Sequence, residues 1–250
     1  MDSFLILGGN SKLARTFNKI YKKKSFTLAK NECDITNTHD IETVLKHRSE
    51  SYVVNCAAIT DIDYCEQNKR ECFEINTIAA KSIESTCKKY NKKFIQISSD
   101  YAVYPTNTYG LSKYVLERIL DLDESLIIRT SFFDKNYFLV KNLINNNVTD
   151  AYENVFFNPI SSVELVKQIY INRDVRGILN IFSSKKISKY QFAVKIAETF
   201  NINANLIKKH RFVNRDCSTL RPFNSYVKPD IKKNLDKDLR DFKIWLDKNN

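Results

Sequence analysis

Short apolar runs and amphipathic stretches alternate along the first half of this chain, and that alternation leaves few folds open. Phe4-Leu5-Ile6-Leu7, Phe26-Thr27-Leu28, Tyr52-Val53-Val54-Asn55, Phe94-Ile95-Gln96-Ile97 and Leu126-Ile127-Ile128 each suit a buried strand. Between them, Leu13, Phe17 and Ile20 recur at helical spacing, as do Ile41, Val44 and Leu45 in 40–48. Phe73, Ala80, Ile83 and Cys87 mark the inner side of a long helix over 71–90, and 109–120 reads as another. Strand and helix in turn call for parallel strands joined by crossover helices. The expected fold is therefore α/β, a Rossmann-type doubly wound parallel sheet whose ligand lies at the carboxyl ends of the strands.

Beyond residue 130 the rhythm loosens. Residues 138–144 and 162–171 read as helices and 178–182 as a strand. Ser188-Lys189-Tyr190-Gln191 is a capping box opening a helix with Phe192, Ile196, Ala197 and Phe200 inward. These pieces suggest a core at 1–130 and a smaller C-terminal lobe at 131–250, packed closely on the core and closing one side of a cleft.

With 43% hydrophobic, 12% aromatic and 28% charged residues, the chain can bury a substantial core. No apolar run approaches the roughly 20 residues of a membrane span, and the first residues read as a buried strand rather than a leader. A cytoplasmic protein is expected. The six cysteines, at 33, 56, 65, 72, 87 and 217, form no C-x-x-C pair and there are only three histidines, so no metal site is expected. The thiols read as small apolar residues in a reducing compartment. A net charge of +11 suits either a polyanionic small ligand or a lysine-rich background. No basic stretch is interleaved with aromatics, so nucleic acid is not the expected partner.

Two of the four glycines, Gly8 and Gly9, stand where the first strand turns into the first helix. Glycine there lets backbone approach a pyrophosphate drawn by the helix N-terminus. The pattern, Gly8-x-x-Ser11-x-x-Ala14, fits an ordinary strand–helix turn equally well. A second element is Tyr109-Gly110-Leu111-Ser112-Lys113. Residues i and i+4 share a helix face, so an ammonium can lower the pKa of a phenol, normally about 10, toward useful proton transfer. With 13 tyrosines and 29 lysines, chance alone supplies one or two such pairs, and two occur. The other is Tyr137/Lys141. Only Tyr109 follows a strand ending in hydroxyls, Ile97-Ser98-Ser99-Asp100-Tyr101; Tyr137 lacks one and reads as a packing residue. Small residues after the third strand, Cys56-Ala57-Ala58-Ile59-Thr60, suit close approach by a dinucleotide.

Together these elements resemble the dTDP-4-dehydrorhamnose reductase family of extended short-chain dehydrogenases. Asp34-Ile35-Thr36 is similar to the family's D-[IL]-T, and Val54–Thr60 to V-N-A-A-A-x-T with Asp63 beyond it. Ser98–Tyr101 resembles S-T-D-Y, 109–113 resembles Y-G-x-[ST]-K, and Arg129-Thr130-Ser131 resembles R-T-S-W with Phe132 in place of Trp. Asn158-Pro159, 177–180, 188–197 and Arg221-Pro222-x-Asn224-Ser225 continue the likeness.

The resemblance implies a dinucleotide-binding core and a substrate-binding lobe. Gly8, Ser11, Lys12, Leu13, Asp34, Ile35, Ala58, Ile59 and Thr60 would line the dinucleotide. Ser99 would polarise a ketone, Tyr109 would be the general acid, and Lys113 would hold the nicotinamide ribose and assist Tyr109. Asp63, Ser99, Asp100, Phe132 and Arg221 would meet the substrate. The implied activity is reduction of the 4-keto group of a nucleotide-linked 4-keto-6-deoxy-sugar, in deoxysugar or rhamnose biosynthesis. A bifunctional 3,5-epimerase/reductase and a non-catalytic NADP-binding subunit are the alternatives, and a homodimer stays open. Only ten positions separate Ser99 from Tyr109, because the family's longer loop is reduced here to Tyr104–Thr108. After the second strand stands Ala29-Lys30-Asn31, without the acid that bonds the ribose of NAD. Lys30, with Lys12, points to NADPH over NADH, with Glu32 as a neighbour able to reach the ribose.

Overall fold

Apolar side chains alternate along each central strand with the two-residue period that sends neighbours to opposite faces. Leu5, Leu7, Val53, Phe94 and Ile127 face one layer of helices, and Phe4, Ile6, Val54, Ile95, Leu126 and Ile128 face the other. A computed structural model describes residues 2–212 and 228–249 of the chain.

Along the chain, β1 (Phe4–Leu7) leads into α1 (Lys12–Ile20) and β2 (Ser25–Leu28) into α2 (Thr38–His47). β3 (Tyr52–Asn55) is followed by α3 (Ile62–Gln67), α4 (Lys69–Phe73) and α5 (Ala79–Lys89); β4 (Lys93–Ser99) by α6 (Thr108–Ile119). The remainder comprises β5 (Ser125–Thr130), β6 (Phe132–Phe133), α7 (Phe138–Ile144), β7 (Thr149–Tyr152), β8 (Phe156–Phe157) and β9 (Ile160–Ser161). Then come α8 (Ser162–Ile171), β10 (Gly177–Ser183), β11 (Ile187–Ser188), α9 (Lys189–Phe200), β12 (Ile207–His210), β13 (Ile231–Lys233) and α10 (Leu235–Asn249).

Seven strands form one sheet in the order β13-β10-β5-β4-β3-β1-β2. Every pairing in it is parallel. The doubly wound architecture expected from the alternation is the one observed. The chain leaves β1 to one side for β2 and returns on the other for β3. That reversal makes the β1/β3 crevice the topological switch point where such sheets bind ligands. Two of the seven strands, β10 and β13, come from beyond residue 130, so the later half of the chain completes the sheet.

Helices α2, α5 and α6 cover one face of the sheet and α1 and α8 the other. A third cluster, including Phe133, Leu139, Phe157, Phe192, Leu239 and Phe242, forms the core of the C-terminal lobe. The capping box is present, with Ser188 and Gln191 exchanging side-chain and backbone bonds. The helix expected over 71–90 is interrupted: 74–78 forms a wider π-turn between α4 and α5. Such turns frequently mark functional positions. No described helix is long and apolar enough to cross a membrane.

Candidate active site

Gly8 ends β1 with a positive φ of 79°, and a Cβ there would lie 2.6 Å from the amide nitrogen of Ala57, just after β3. Only glycine lets the two strand-end loops meet so closely. Ser11 caps α1 by accepting from the amide of Ala14 at 3.2 Å. The Asn55 side chain at the end of β3 accepts from the Ala57 amide at 3.0 Å and donates to Gln96 on β4. These bonds fix the course of both strand-end loops at the switch point.

The π-turn supplies a second clamp. Asn76 accepts from the Ile59 amide at 2.8 Å and donates to the Ile59 carbonyl at 2.9 Å and to Ser112 Oγ at 3.1 Å. One buried amide thus ties the 57–60 loop to α6. Nothing in the apolar pattern marks Asn76; an asparagine on the buried side of a predicted helix is the sole signal it leaves.

The N-terminus of α6 is set by two side chains. Asn107 Oδ1 accepts from the Gly110 amide at 2.7 Å. Glu66, from α3, accepts from the Thr108 amide at 2.6 Å and from Thr108 Oγ1 at 2.9 Å. The shortened 104–108 loop is thereby pinned one residue before Tyr109. The Tyr109 ring packs edge-on to Tyr101, with centroids 5.6 Å apart, above the buried thiols of Cys65 and Cys72. Tyr109 is 9% exposed and Lys113 only 2%. The Lys113 ammonium donates to the Ile97 carbonyl at 3.4 Å, and burial pushes its pKa down from 10.5 to about 8. Beside them Ser98 donates to Glu117 at 2.6 Å, and Glu117 pairs with Arg129, so Ser98 is committed to structure. Ser99, the neighbouring hydroxyl, donates to Asp100 Oδ1 at 3.1 Å and lines the cleft.

Two adjoining cavities occupy the carboxyl edge of the sheet. The larger, about 760 Å³, is lined by Ser11, Lys12, Leu13, Ala58, Thr60, Ser99, Tyr109, Lys113 and Phe132, among others. The smaller, about 300 Å³, takes Gly8, Lys30, Asp34, Ile35 and Ile59. Asn10, Ser11, Cys56, Ala57 and Ala58 line both, so the two form one groove across the switch point.

Not every expected residue is there. Asp63 sits exposed in the first turn of α3 and is not among the lining residues, although its neighbour Ile62 is. Asp100 is likewise outside the lining, in the short turn that follows β4. Arg221 lies outside the described residues.

Tyr137 packs on the lobe core among the rings of Phe138, Phe157 and Phe192, as its sequence context suggested, and it also lines the larger cavity and bonds Lys189. Phe138, Tyr152, Val155, Lys189 and Phe212 complete that wall.

The groove fits a dinucleotide on its own geometry. The β1 and β3 loops meet too closely for any side chain at Gly8, and α1 opens at Ser11-Lys12 with no acidic residue in its first turn, facing the groove. Thr130 Oγ1, at the end of β5 and lining the larger cavity, is buried without a hydrogen-bond partner. A buried polar atom left this way costs about 1–3 kcal/mol, which a bound polar group would relieve. Lys30 lies 3.8 Å from Asp34. Glu32 is turned back to accept from the Ala29 amide at 2.8 Å and is not among the cavity residues.

The likeness to known proteins runs the same way. The family profile described as RmlD substrate binding domain matches residues 2–150. The dTDP-4-dehydrorhamnose reductase of Aggregatibacter actinomycetemcomitans is 23% identical, over 90% of this chain and 90% of its own. A probable low-salt glycan biosynthesis reductase of Haloferax volcanii is 24% identical, over 82% of this chain and 78% of its own. The crystal structure of the Bacillus anthracis dTDP-4-dehydrorhamnose reductase in complex with NADP superposes with a TM-score of 0.85 at 20% identity, covering 98% of this chain and 99% of that one. With a matching profile over more than half of its length and the fold those proteins share, this chain belongs to the RmlD family, that of the dTDP-4-dehydrorhamnose reductases.

Proposed function

We propose that this chain is an NADPH-dependent reductase of the 4-keto group in a nucleotide-linked 4-keto-6-deoxy-sugar, acting in deoxysugar biosynthesis. The observation that carries the reading is that Ser99, Tyr109 and Lys113 line one cleft at the carboxyl edge of the sheet, beside a groove at the switch point. The names of the relatives, reductases of dTDP-linked keto-sugars and of a glycan pathway, support the same substrate class.

Gly8, Ser11, Lys12, Leu13, Asp34, Ile35, Ala58, Ile59 and Thr60 would hold the cofactor, and when bound the reduced nicotinamide supplies the hydride. The chain's own work is polar. The Ser99 hydroxyl would turn from Asp100 to donate its one proton to the ketone oxygen, raising the carbon's electrophilicity. Tyr109 delivers its phenolic proton to that oxygen as negative charge develops there. The ammonium of Lys113 stabilises the phenolate left behind. Because burial brings Lys113 to about 8, the cation is present at neutral pH and is lost as pH rises through about 8. Phe132 and the lobe wall close over the substrate and exclude water. Lys30 at the smaller cavity favours the 2′-phosphate of NADPH, and Glu32, held by its own loop, leaves that role to the lysine. The same reading places the enzyme in the cytosol, where nucleotide sugars and free thiols such as those of Cys33 and Cys87 are at home.

The test is turnover of dTDP- and UDP-linked 4-keto-6-deoxyhexoses with each cofactor, followed at the absorbance band of the reduced nicotinamide. Oxidation of NADPH dependent on one of these sugars is expected. NADPH binding without oxidation by any of them would make the chain a non-catalytic member of its family.

A further inference from the structure

Thr130 ends β5, is 3% exposed and lines the larger cavity, and its Oγ1 has no hydrogen-bond partner among the described residues. Nearby hydroxyls at the same sheet edge are engaged: Ser98 donates to Glu117 and Ser99 to Asp100. A buried hydroxyl left unpaired is disfavoured, and valine has nearly the same shape without it. The fold alone therefore gives no reason for threonine here. Strand register places this hydroxyl beside the reacting groups. β5 pairs with β4 so that Thr130 lies opposite Ser99. Residues paired across parallel strands send their side chains to the same face, with the strands about 4.8 Å apart. Two residues earlier on each strand, Ile128 and Ile97 belong to the apolar cluster on the α1 side of the sheet, together with Leu13 and Phe132. Leu13, Ile97 and Phe132 also line the cavity, so the one unpaired hydroxyl stands in an apolar setting.

An apolar slot with a single hydroxyl, able both to donate and to accept, suits a flat ring that carries one primary carboxamide. Nicotinamide is such a ring, and the strand order brings it within reach. From the β1/β3 crevice the sheet runs through β3 and β4 to β5. A cofactor laid across that edge with its ribose at Lys113 has its far end at Thr130. We propose that the Thr130 hydroxyl binds the carboxamide of the nicotinamide and so fixes how the ring lies beside the carbon whose oxygen Ser99 and Tyr109 hold. This rests on the reading of the cleft as a reductase site and deepens it. A sugar hydroxyl is the competing occupant. A sugar carries several hydroxyls and calls for several polar partners, whereas the cluster on this face is apolar and Thr130 lies at its edge, in the strand floor.

The experiment combines melting curves with calorimetric binding, on the whole protein and on Thr130→Val and Thr130→Ser. Without cofactor, Thr130→Val should melt about 2–4 °C above wild type, because it removes a buried unpaired hydroxyl. With saturating NADPH that lead should close. The NADPH Kd of Thr130→Val is expected to rise about three- to tenfold, the scale of one hydrogen bond. Binding of 2′-phospho-ADP-ribose, which is NADPH without its nicotinamide, should change less than about twofold. Thr130→Ser, which keeps the hydroxyl, should hold the NADPH Kd within about twofold of wild type. A merely structural threonine would act in the opposite sense, with Thr130→Val melting lower without cofactor and both ligands weakened alike; that result overturns the proposal. An NADPH Kd unchanged in Thr130→Val overturns it too, as does a rise in KM confined to the nucleotide sugar, which would give the hydroxyl to the substrate. If wild type reduces a keto-sugar while Thr130→Val binds NADPH normally, this proposal fails alone. If no keto-sugar is reduced but NADPH binding depends on Thr130 as expected, the reductase reading fails and this one stands.

Discussion

The two walls of the cleft use the same residue types but assemble them differently. On the sheet wall, Tyr109 and Lys113 both lie inside α6, so the i, i+4 spacing places them on one face and both line the cavity. On the lobe wall, Tyr137 is the N-cap of α7 with extended backbone, φ −65° and ψ 129°. A residue outside the helix does not share its face, and Lys141 is exposed and absent from the cavity. Its partner comes from α9, 52 residues further on. Identical spacing brought both side chains to the cavity in one place and only the tyrosine in the other, because spacing acts only through a formed helix.

The largest expected effect tests whether the proton work belongs to the sheet wall alone. Tyr109→Phe should reduce kcat by about 10²–10⁴-fold, the usual span of general acid catalysis, with the NADPH Kd nearly unchanged. A variant keeping more than half of wild-type kcat would break the assignment of the proton to the sheet wall, and a comparable collapse in Tyr137→Phe would move the chemistry to the lobe.

Next comes Lys113→Met. Loss of the ammonium should lower kcat by about tenfold or more and weaken NADPH, since one cation serves phenol and ribose. Its effect on stability has the opposite sign. Lys113 holds its proton to about pH 10.5 when unfolded but only to about pH 8 in the fold. Below pH 8 the folded protein therefore carries a charge-burial cost of about 3 kcal/mol, which disappears as pH rises from 8 to 10.5. Lys113→Met should melt higher than wild type at pH 7, and the gap should close above pH 8. Wild-type kcat/KM should fall over the same range. A Tm unchanged or lowered at pH 7 would show that the buried ammonium is compensated.

Glu66→Ala sharpens the comparison on the α6 side. Losing its two bonds to Thr108 removes a helix cap, a cost of about 1 kcal/mol, and should lower kcat several-fold while leaving the NADPH Kd within about twofold. A larger loss of NADPH would mean that the cap supports the whole sheet wall.

The smallest effect concerns Lys30, exposed and beside Asp34. Surface pairs of this kind are worth about 0.2–1 kcal/mol, so Lys30→Ala should reduce the NADPH-over-NADH ratio of kcat/KM by about two- to fivefold. NADH leading in wild type would show that Asp34, not Lys30, governs the choice.

Strand and helix periodicity carried the central fold because burial in a parallel sheet imposes itself on every residue of a strand. Helices 138–144 and 162–171 were legible for the same reason. Helix α10 went unread although Leu235, Leu239, Phe242 and Leu246 recur at helical spacing among Lys and Asp residues; the structure packs that stripe on the lobe core. The π-turn at 74–78 left no trace in the apolar pattern, and its clamp Asn76 only a buried asparagine, because what they satisfy, the backbone of Ile59, lies 17 residues away. Asp63 and Asp100 stand in recognisable motifs, yet neither lines the cleft, since a motif specifies neighbours in sequence and not which side of a short turn faces the cavity.

The amino-acid order by itself determined the alternation of strands and helices, the turn at Gly8, and the Tyr109–Lys113 helix face following a strand that ends in Ser99, all of which arise from short stretches of chain. Tertiary structure alone decided that β10 and β13 complete the sheet, that Glu66 caps α6, and that Tyr137 meets Lys189 across the lobe. Those contacts join segments far apart in the chain, and packing selects them through the shape and burial of the whole core, which no local pattern encodes.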